Sequence, residues 1–378
     1  MSAGENYFGS KTDLISFVQL KDNSEVKLKG FELDQSIPLP VVTDKLLSQL
    51  SKVDSDQGIT LERVIEGILY LMGADQDFLH HDYYGRILEA YNPDMEKELF
   101  KKALIALEKE DYTESGLFLR AFNNLYGSKE GLFYYAMVLE AMGKNEIEDG
   151  NIEEGNEFLE ESTAILEELL DEDEKYYPAY YKLGYHYKFY EQYVKAKLTW
   201  DKVLIYDPDE NRRQEIRQEL DILDPEYRVE LGLTYMNNRN YEKAIEVLSK
   251  LMPKHMKNWY ANYLLGMAYR GYGDNQMAME YFYGAMDSDP SIPEVYNELG
   301  ISYFNENDIE KAMEIFTQGI ESGNQEDYRL YFNRGLGYLN LGDIDNGYDD
   351  IYKAHQLNPE DDNVKAQLNA IERYRKNQ

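Results

Sequence analysis

The pattern of apolar and polar residues predicts paired helices along most of the chain. From about residue 95 onward, apolar positions recur at i, i+3 and i+4, which is the spacing of a helix with one buried face. Short polar turns, such as 237–240, 272–275 and 305–308, separate the two helices of each pair. This periodicity predicts an all-α architecture of helix-turn-helix units over residues 95–361.

A period of 34 residues relates these pairs to one another. Gly232, Gly266 and Gly300 are each preceded by Leu and followed by Tyr three residues later and Ala twelve residues later. The residue sixteen positions after each glycine is large and apolar: Leu248, Phe282 and Phe316. Glycine in a helix costs roughly 1 kcal/mol relative to alanine. Its recurrence therefore predicts a close helix crossing in each unit, with the alanine of the second helix facing the glycine.

These residues resemble the tetratricopeptide repeat, in which a Leu-Gly pair, a Tyr, a small residue, an aromatic residue, an Ala and a Pro recur at these offsets. Five units match well, and they begin near Tyr177, Pro225, Trp259, Pro293 and Tyr328. Two weaker units precede them, over 96–129 and 130–176. The resemblance implies a right-handed superhelical solenoid made of about seven such repeats.

The chain departs from the repeat in two places and ends in an additional helix. Residues are inserted near 145–158 and again near 209–224. Because Asn211–Leu223 has a helical pattern, the second insertion either extends a neighbouring helix or adds a turn. Residues 362–378 carry one more amphipathic helix with a polar outer face, which suits the terminal cap that a repeat array needs.

Residues 1–94 do not fit the repeat and are predicted to form an N-terminal segment. Two short strands, 15–20 and 25–31, are predicted to pair as a β-hairpin through Asp22 and Asn23. Pro38 and Pro40 interrupt the chain after them, and helices are predicted near 42–53, 60–73 and 77–92. An isolated hairpin is marginally stable in water, so it must pack on another part of the protein. The segment is a cap of the array or a small accessory domain, and the cap is favoured.

Charge and composition restrict the partners. The net charge of −33 repels nucleic-acid backbones and anionic lipids, and it favours a basic partner. Residues 145–175 are the most acidic region, and their glutamates form either a docking patch for such a partner or a solvated helix face. The docking alternative rests on Glu153, Glu154, Glu160 and Glu161. The absence of Cys, of a signal-peptide pattern and of a membrane-spanning apolar run predicts a cytoplasmic protein.

No motif predicts catalysis, a cofactor or a metal site. His80 and His81 are adjacent, and neighbouring helical residues point about 100° apart, so they suit one ion poorly. The acidic segment that begins at Asp343 fails the EF-hand pattern, because its sixth and twelfth positions are Tyr348 and Ala354. Phosphate-binding, esterase and zinc-protease motifs do not occur in the sequence. The chain is therefore predicted not to be an enzyme.

The family resemblance implies a binding groove, because the first helices of tetratricopeptide units line a concave face. The matching positions here are rich in aromatic residues, with a few charged and amide side chains. The predicted binding residues are Tyr181, Tyr185, Lys188, Tyr260, Tyr263, Met267, Arg270, Asn297, Phe304 and Phe332. Asn297 is expected to hold a ligand backbone, and Arg270 or Lys188 a carboxylate. Family members that clamp a terminal carboxylate carry Lys and Asn where this chain has residues such as Val229 and Leu233, so that clamp is disfavoured.

These observations predict a scaffold or adaptor that binds a protein or peptide in the groove. Two alternatives remain at the level of sequence. One is a regulator whose curvature changes when a peptide binds. The other is an accessory subunit of an enzyme that acts through residues 1–94. The sequence also leaves open a homodimer, and a groove that is filled by the chain's own side chains.

Overall fold

A computed structural model describes residues 2–20, 27–28, 30–44, 59–252, 258–323 and 326–376. These residues are mainly helical, with four short strands near the N-terminus. The chain divides into two compact units, residues 1–218 (unit 1) and 219–378 (unit 2). The predicted turn at Asp22 and Asn23 and most of the predicted helix 42–53 lie outside the described residues.

Unit 1 contains the N-terminal segment and three helix pairs. The helices of the segment are α1 (Ala3–Gly9), α2 (Leu61–Ala74) and α3 (His81–Tyr91). The pairs are α4 (Met95–Glu108) with α5 (Tyr112–Tyr126), α6 (Lys129–Glu148) with α7 (Ile152–Glu172), and α8 (Tyr177–Phe189) with α9 (Tyr193–Tyr206). Within each pair the helices pack together, and α5 and α7 also pack on the first helix of the next pair. This is the predicted arrangement of stacked helix-turn-helix units.

Unit 2 continues the same arrangement after α10 (Glu210–Asn237), a helix that begins in unit 1 and ends in unit 2. The helices that follow are α11 (Tyr241–Leu248), α12 (Trp259–Tyr272), α13 (Asn275–Ser288), α14 (Pro293–Asn305), α15 (Ile309–Glu321), α16 (Tyr328–Asn340), α17 (Ile344–Leu357) and α18 (Asp362–Lys376). From α11 onward, each helix packs on the next one along the chain. The predicted all-α repeat class is confirmed, and α18 is the additional C-terminal helix.

Glycine creates the close helix crossing in the three repeats that follow the 34-residue period. A Cβ added at Gly266 would lie 2.5 Å from Cε1 of Phe282, and at Gly300 it would lie 2.3 Å from Cε1 of Phe316. Gly232 has the same relation to Leu248, at 2.6 Å. The equivalent glycines therefore have equivalent surroundings, as the 34-residue period predicts. The side chain nearest to each of these glycines is the large one sixteen positions later, so the absent glycine side chain makes room for a bulky residue. The alanines twelve positions after the glycines, Ala244, Ala278 and Ala312, are fully buried.

Both insertions lengthen helices. The pair α6 and α7 has 20 and 21 residues, whereas α12 and α13 have 14 each. The second insertion joins the helix that follows it, and the result is the 28-residue α10 with Pro225 inside it. Of the two alternatives for this insertion, the extended helix is confirmed.

The strands of the N-terminal segment pair differently from the prediction. β1 (Ile15–Val18) pairs antiparallel with β4 (Leu39–Val42), with Phe17 opposite Pro40. The short hairpin is formed by β2 (Lys27–Leu28) with β3 (Phe31–Glu32). A hairpin is present, but its predicted partners were wrong, and Pro40 belongs to a strand instead of a break. Burial explains why residues 39–42 form a strand that pairs with β1, because every residue of β4 is buried and β4 packs on α2.

One hydrophobic core joins the N-terminal segment to the first two helix pairs. Phe8 of α1, Leu39 of β4 and Ile68 of α2 belong to the same buried cluster as Leu117 of α5 and Phe158 of α7. Phe8 is fully buried, and its ring lies where a side chain on Gly116 would otherwise stand. The segment is therefore packed on the repeats, as the marginal stability of a lone hairpin requires.

Candidate functional site

The clearest cavity among the predicted groove positions lies in unit 2. It has a volume of about 520 Å³ and is bounded by the end of α10, the start of α11 and one face of α12. Its wall is mainly aromatic and aliphatic, with one arginine and one asparagine. The lining residues are Leu233, Met236, Asn237, Tyr241, Tyr260, Tyr263, Leu264, Met267, Arg270 and Gly271. Four predicted binding residues, all on α12, are thus brought together at one cavity.

Helix spacing explains why these four side chains share a face. Tyr260, Tyr263, Met267 and Arg270 are three or four residues apart, so they lie along one side of α12. The rings of Tyr260 and Tyr263 are nearly parallel, with their centres 6.4 Å apart. Tyr260 is 36% exposed, whereas Tyr263 is half-buried and packs against the cores on both sides. Tyr260 is therefore the accessible ring of the pair, and Tyr263 supports it.

Burial and nearby charge also set the chemistry of Tyr263. Burial raises the pKa of its hydroxyl, and the carboxylate of Glu294 raises that pKa further. The hydroxyl therefore stays protonated at neutral pH and can act as a hydrogen-bond donor.

Two ion pairs connect α12, α14 and α16 beside the cavity. The guanidinium of Arg270 donates to the Glu298 carboxylate, and both side chains are mostly buried. Arg329 of α16 donates to Oε1 of Glu294 at 2.9 Å and also to Asp327. Arg270 therefore already has a carboxylate partner within the fold. We use the name unit 2 groove for the cavity together with Glu294, Asn297 and Glu298 of α14 and Arg329 and Phe332 of α16.

The amide expected to hold a ligand backbone is engaged inside the protein. Asn297 is 5% exposed, and its side-chain oxygen accepts a hydrogen bond from Nδ2 of Asn333 at 2.7 Å. Phe304 is half-buried in the core that α13, α14 and α15 share, and Phe332 packs against the core of α16 to α18. Asn297, Phe304 and Phe332 therefore pack mainly inside the protein and contribute little to an open binding surface.

The predicted residues of unit 1 lie on α8 and are not among those that line this cavity. The hydroxyls of Tyr181 and Tyr185 both donate to Oε1 of Glu215, at 2.8 and 2.6 Å. Glu215 belongs to the insertion that extends α10, so the insertion occupies the polar ends of these two tyrosines. Lys188 is half-buried near them. Burial and the hydrogen bond to Glu215 both raise the pKa of Tyr185.

The acidic region contributes a second concave surface in unit 1. A cavity of about 860 Å³ lies between α1 and the start of α7, and its acidic wall consists of Glu153, Glu154 and Glu157. Glu161 differs from its neighbours, because its carboxylate accepts a hydrogen bond from the Gly4 backbone N–H at 2.6 Å. It is part of the packing of α1, whereas Glu153, Glu154 and Glu160 are exposed.

Sequence reasoning missed three residues that shape the unit 2 groove. Tyr241 opens a second helix and packs on Gly271, so its contribution to the cavity depends on a glycine outside the repeat pattern. Glu298 and Asn333 engage Arg270 and Asn297 from neighbouring helices. The sequence did contain a signal for the contact between Asn297 and Asn333, because their spacing of 36 residues is close to the repeat period.

Within the described ranges, no group of three or more His, Asp or Glu side chains is arranged to hold a metal ion. The described helices include none that is both long enough and apolar enough to cross a bilayer.

Stacked helix pairs, most of them with a glycine where the two helices cross, define a helical-repeat protein of the α-solenoid class. The tetratricopeptide repeat family matches residues 225–293 and 293–322, which include α11 to α15. Residues 225–322 therefore consist of tetratricopeptide repeats.

Known relatives match only parts of the chain. A TPR repeat-containing protein of Methanocaldococcus jannaschii is 25% identical over 121 residues, which are 32% of this chain and 21% of the relative. The anaphase-promoting complex subunit CDC16 of Saccharomyces cerevisiae is 28% identical over 186 residues, 44% of this chain and 22% of the relative. The chain therefore spans about a fifth of the length of these curated relatives.

Two solved structures match about half of the chain. YrrB, described as a TPR protein with an unusual peptide-binding site, is 16% identical, covers 54% of this chain and 97% of its own, and has a TM-score of 0.37. MamA from Desulfovibrio magneticus is 22% identical, covers 51% of this chain and 97% of its own, and has a TM-score of 0.34. At such TM-scores the likeness carries no conclusion about the binding site.

Proposed function

We propose that the protein is a scaffold or adaptor that binds a protein or peptide in the unit 2 groove. The observation that carries the proposal is the 520 Å³ cavity lined by Tyr241, Tyr260 and Tyr263 together with two methionines. Aromatic residues and Met are enriched in the cores of protein interfaces, and exposed tyrosines are frequent anchors of binding energy. Repeat arrays of this kind bind partners along extended concave surfaces.

The partner carries a basic surface in this proposal. The chain has 72 acidic and 39 basic residues, so its field accelerates encounter with a positively charged partner. The exposed Glu153 and Glu154 beside the cavity of unit 1 favour the same sign of charge. The lack of Cys suits a reducing compartment, and we propose a cytoplasmic location. The proposal includes no catalytic step.

A display selection followed by single substitutions tests the groove. Immobilised full-length protein is panned with a library of random twelve-residue peptides, and the affinities of enriched peptides are measured by fluorescence anisotropy. Tyr260→Ala is expected to weaken their binding at least about tenfold, because it removes the accessible ring of the cavity. Tyr260 is a better probe than Tyr263 or Phe304, whose side chains also belong to the cores.

The matched control is Tyr272→Ala. Tyr272 lies on the same helix and is 60% exposed, but it does not line this cavity. Its variant should bind the enriched peptides with wild-type affinity. A library that yields no peptide, or peptides that bind both variants equally well, would rule out the groove as the binding site.

A further inference from the structure

We infer that the unit 2 groove recognises an internal stretch of its partner, through a large apolar side chain, and that it does not recognise a chain end. This inference rests on the proposed function and specifies what the same groove binds. It follows from the way in which the two arginines of the groove are paired with its carboxylates, and Asn297 with Asn333.

Recognition of a terminal carboxylate needs a cation that is available to it. Arg270, the arginine that lines the cavity, donates to Glu298, and the two side chains are 23% and 14% exposed. Arg329 is engaged by both Glu294 and Asp327. An incoming carboxylate has to displace an internal one that is held in place by the fold, and the displaced glutamate then remains partly buried without a cationic partner. That exchange is unfavourable.

The same pairs disfavour recognition of a terminal amine. Glu294 and Glu298, the two carboxylates of the unit 2 groove, are groups that its arginines already engage. Oε1 of Glu298 also accepts a hydrogen bond from Nδ2 of Asn297 at 3.3 Å. An ammonium group gains only long-range attraction from this acidic protein, and that attraction applies equally to a lysine or arginine anywhere along the partner.

The apolar wall remains as the source of specific contacts. Asn297 and Asn333 hydrogen-bond to each other, so the side-chain amides of α14 and α16 add little to ligand binding. Tyr260 presents a ring at the surface of the cavity, and Met236, Met267 and Leu233 surround it with adaptable apolar surface. A volume of about 520 Å³ accommodates one large aromatic or aliphatic side chain with the adjoining backbone. Such a side chain is available at any position in a partner.

Two peptide libraries test this inference on the full chain. One displays random twelve-residue segments between constant flanking sequences, and the other displays them with a free C-terminus. Both are expected to yield peptides whose binding depends on Tyr260. In synthetic versions of the best binders, amidating the C-terminus or acetylating the N-terminus should change the dissociation constant by less than about twofold. A loss of about tenfold on either modification would overturn the inference.

A substitution that frees Arg270 gives a second, independent readout. Glu298→Gln is expected to make binding depend on the terminus, so that a free-acid peptide binds at least about threefold more tightly than its amide. Glu280→Gln removes the same charge from an exposed position on α13 and should leave the two forms equivalent. Circular dichroism establishes that each variant is folded. If Glu298→Gln does not fold, the inference is still tested by the binding of free, amidated and acetylated peptides to the wild-type protein.

The results of these experiments distinguish a failure of the proposed groove from a failure of internal recognition. Absence of Tyr260-dependent peptides from both libraries would reject the groove itself. Tyr260-dependent peptides that come only from the free C-terminal library, or that lose affinity on amidation, would keep the groove and reject internal recognition.

Discussion

At the scale of single residues, glycine governs how closely the helices of each pair approach. The space above Gly266 is filled by Phe282, which is fully buried, so its ring cannot move aside at low cost. Gly85, in the middle of α3, has a different environment: the nearest atom to an added Cβ is Cδ2 of Leu125, at 3.6 Å. The same residue type therefore has a packing role in one helix and none in the other.

Alanine substitutions at these two positions should change stability in opposite directions. Gly266→Ala is expected to lower the free energy of unfolding by about 1–3 kcal/mol, because overpacking outweighs the gain in helix propensity. Gly85→Ala has room for its methyl group and should raise that free energy by up to about 1 kcal/mol. Urea unfolding followed by circular dichroism measures both changes. Equal stabilisation by the two variants would contradict a tight crossing at Gly266.

At the scale of elements, the sequence predicts helices whose apolar stripes repeat, and it misses α1. The stripe of Val64, Ile68 and Met72 is visible in the sequence, and α2 is confirmed at Leu61–Ala74. α1 has only seven residues, too few to be stable alone, and it is fixed by partners such as Thr113 and Phe158 that lie more than a hundred residues away. Local patterns contain no information about such contacts. The assignment of residues 1–94 as a cap remains a proposal, which the shared core supports.

Docking of α1 should depend on Phe8. Phe8→Ala removes a fully buried ring, and we expect a loss of about 3–5 kcal/mol in the stability of unit 1. Hydrogen–deuterium exchange of residues 2–9 should become fast, because α1 loses its anchor. Phe17→Ala provides the control, since Phe17 is 54% exposed and its removal should change little. Slow exchange of α1 in the Phe8 variant would show that another contact holds it.

At the scale of the whole molecule, the repeat period specifies the class of fold but not where the chain divides. The repeat count suggests one uninterrupted array, whereas the boundary between the units falls within α10, in the inserted region. The unit 2 groove is likewise only partly predictable from the repeat pattern. The spacing along α12 predicted which of its residues meet at the cavity, but the pairing of Arg270 with Glu298 depends on which rotamers pack between helices, and spacing does not determine that.

The two tryptophans of the chain make the division measurable. Trp200 lies in α9 of unit 1, and Trp259 begins α12 of unit 2. In the variants Trp259→Phe and Trp200→Phe, the remaining tryptophan reports on one unit, and urea titrations should give different midpoints because each unit has its own core. Adding Phe8→Ala should lower the midpoint reported by Trp200 and leave that reported by Trp259 unchanged. Identical shifts in both signals would mean that the chain unfolds as one cooperative body.

The hydrogen bond between the Gly4 N–H and Glu161 has a practical consequence for all of these measurements. An affinity tag fused ahead of Ser2 would begin at the capped first turn of a packed helix, next to the acidic wall of the unit 1 cavity, where a polyhistidine stretch would attract those carboxylates. A tag fused after α18 instead leaves the sequence ahead of Ser2, and with it the capped first turn, as it is in the untagged chain.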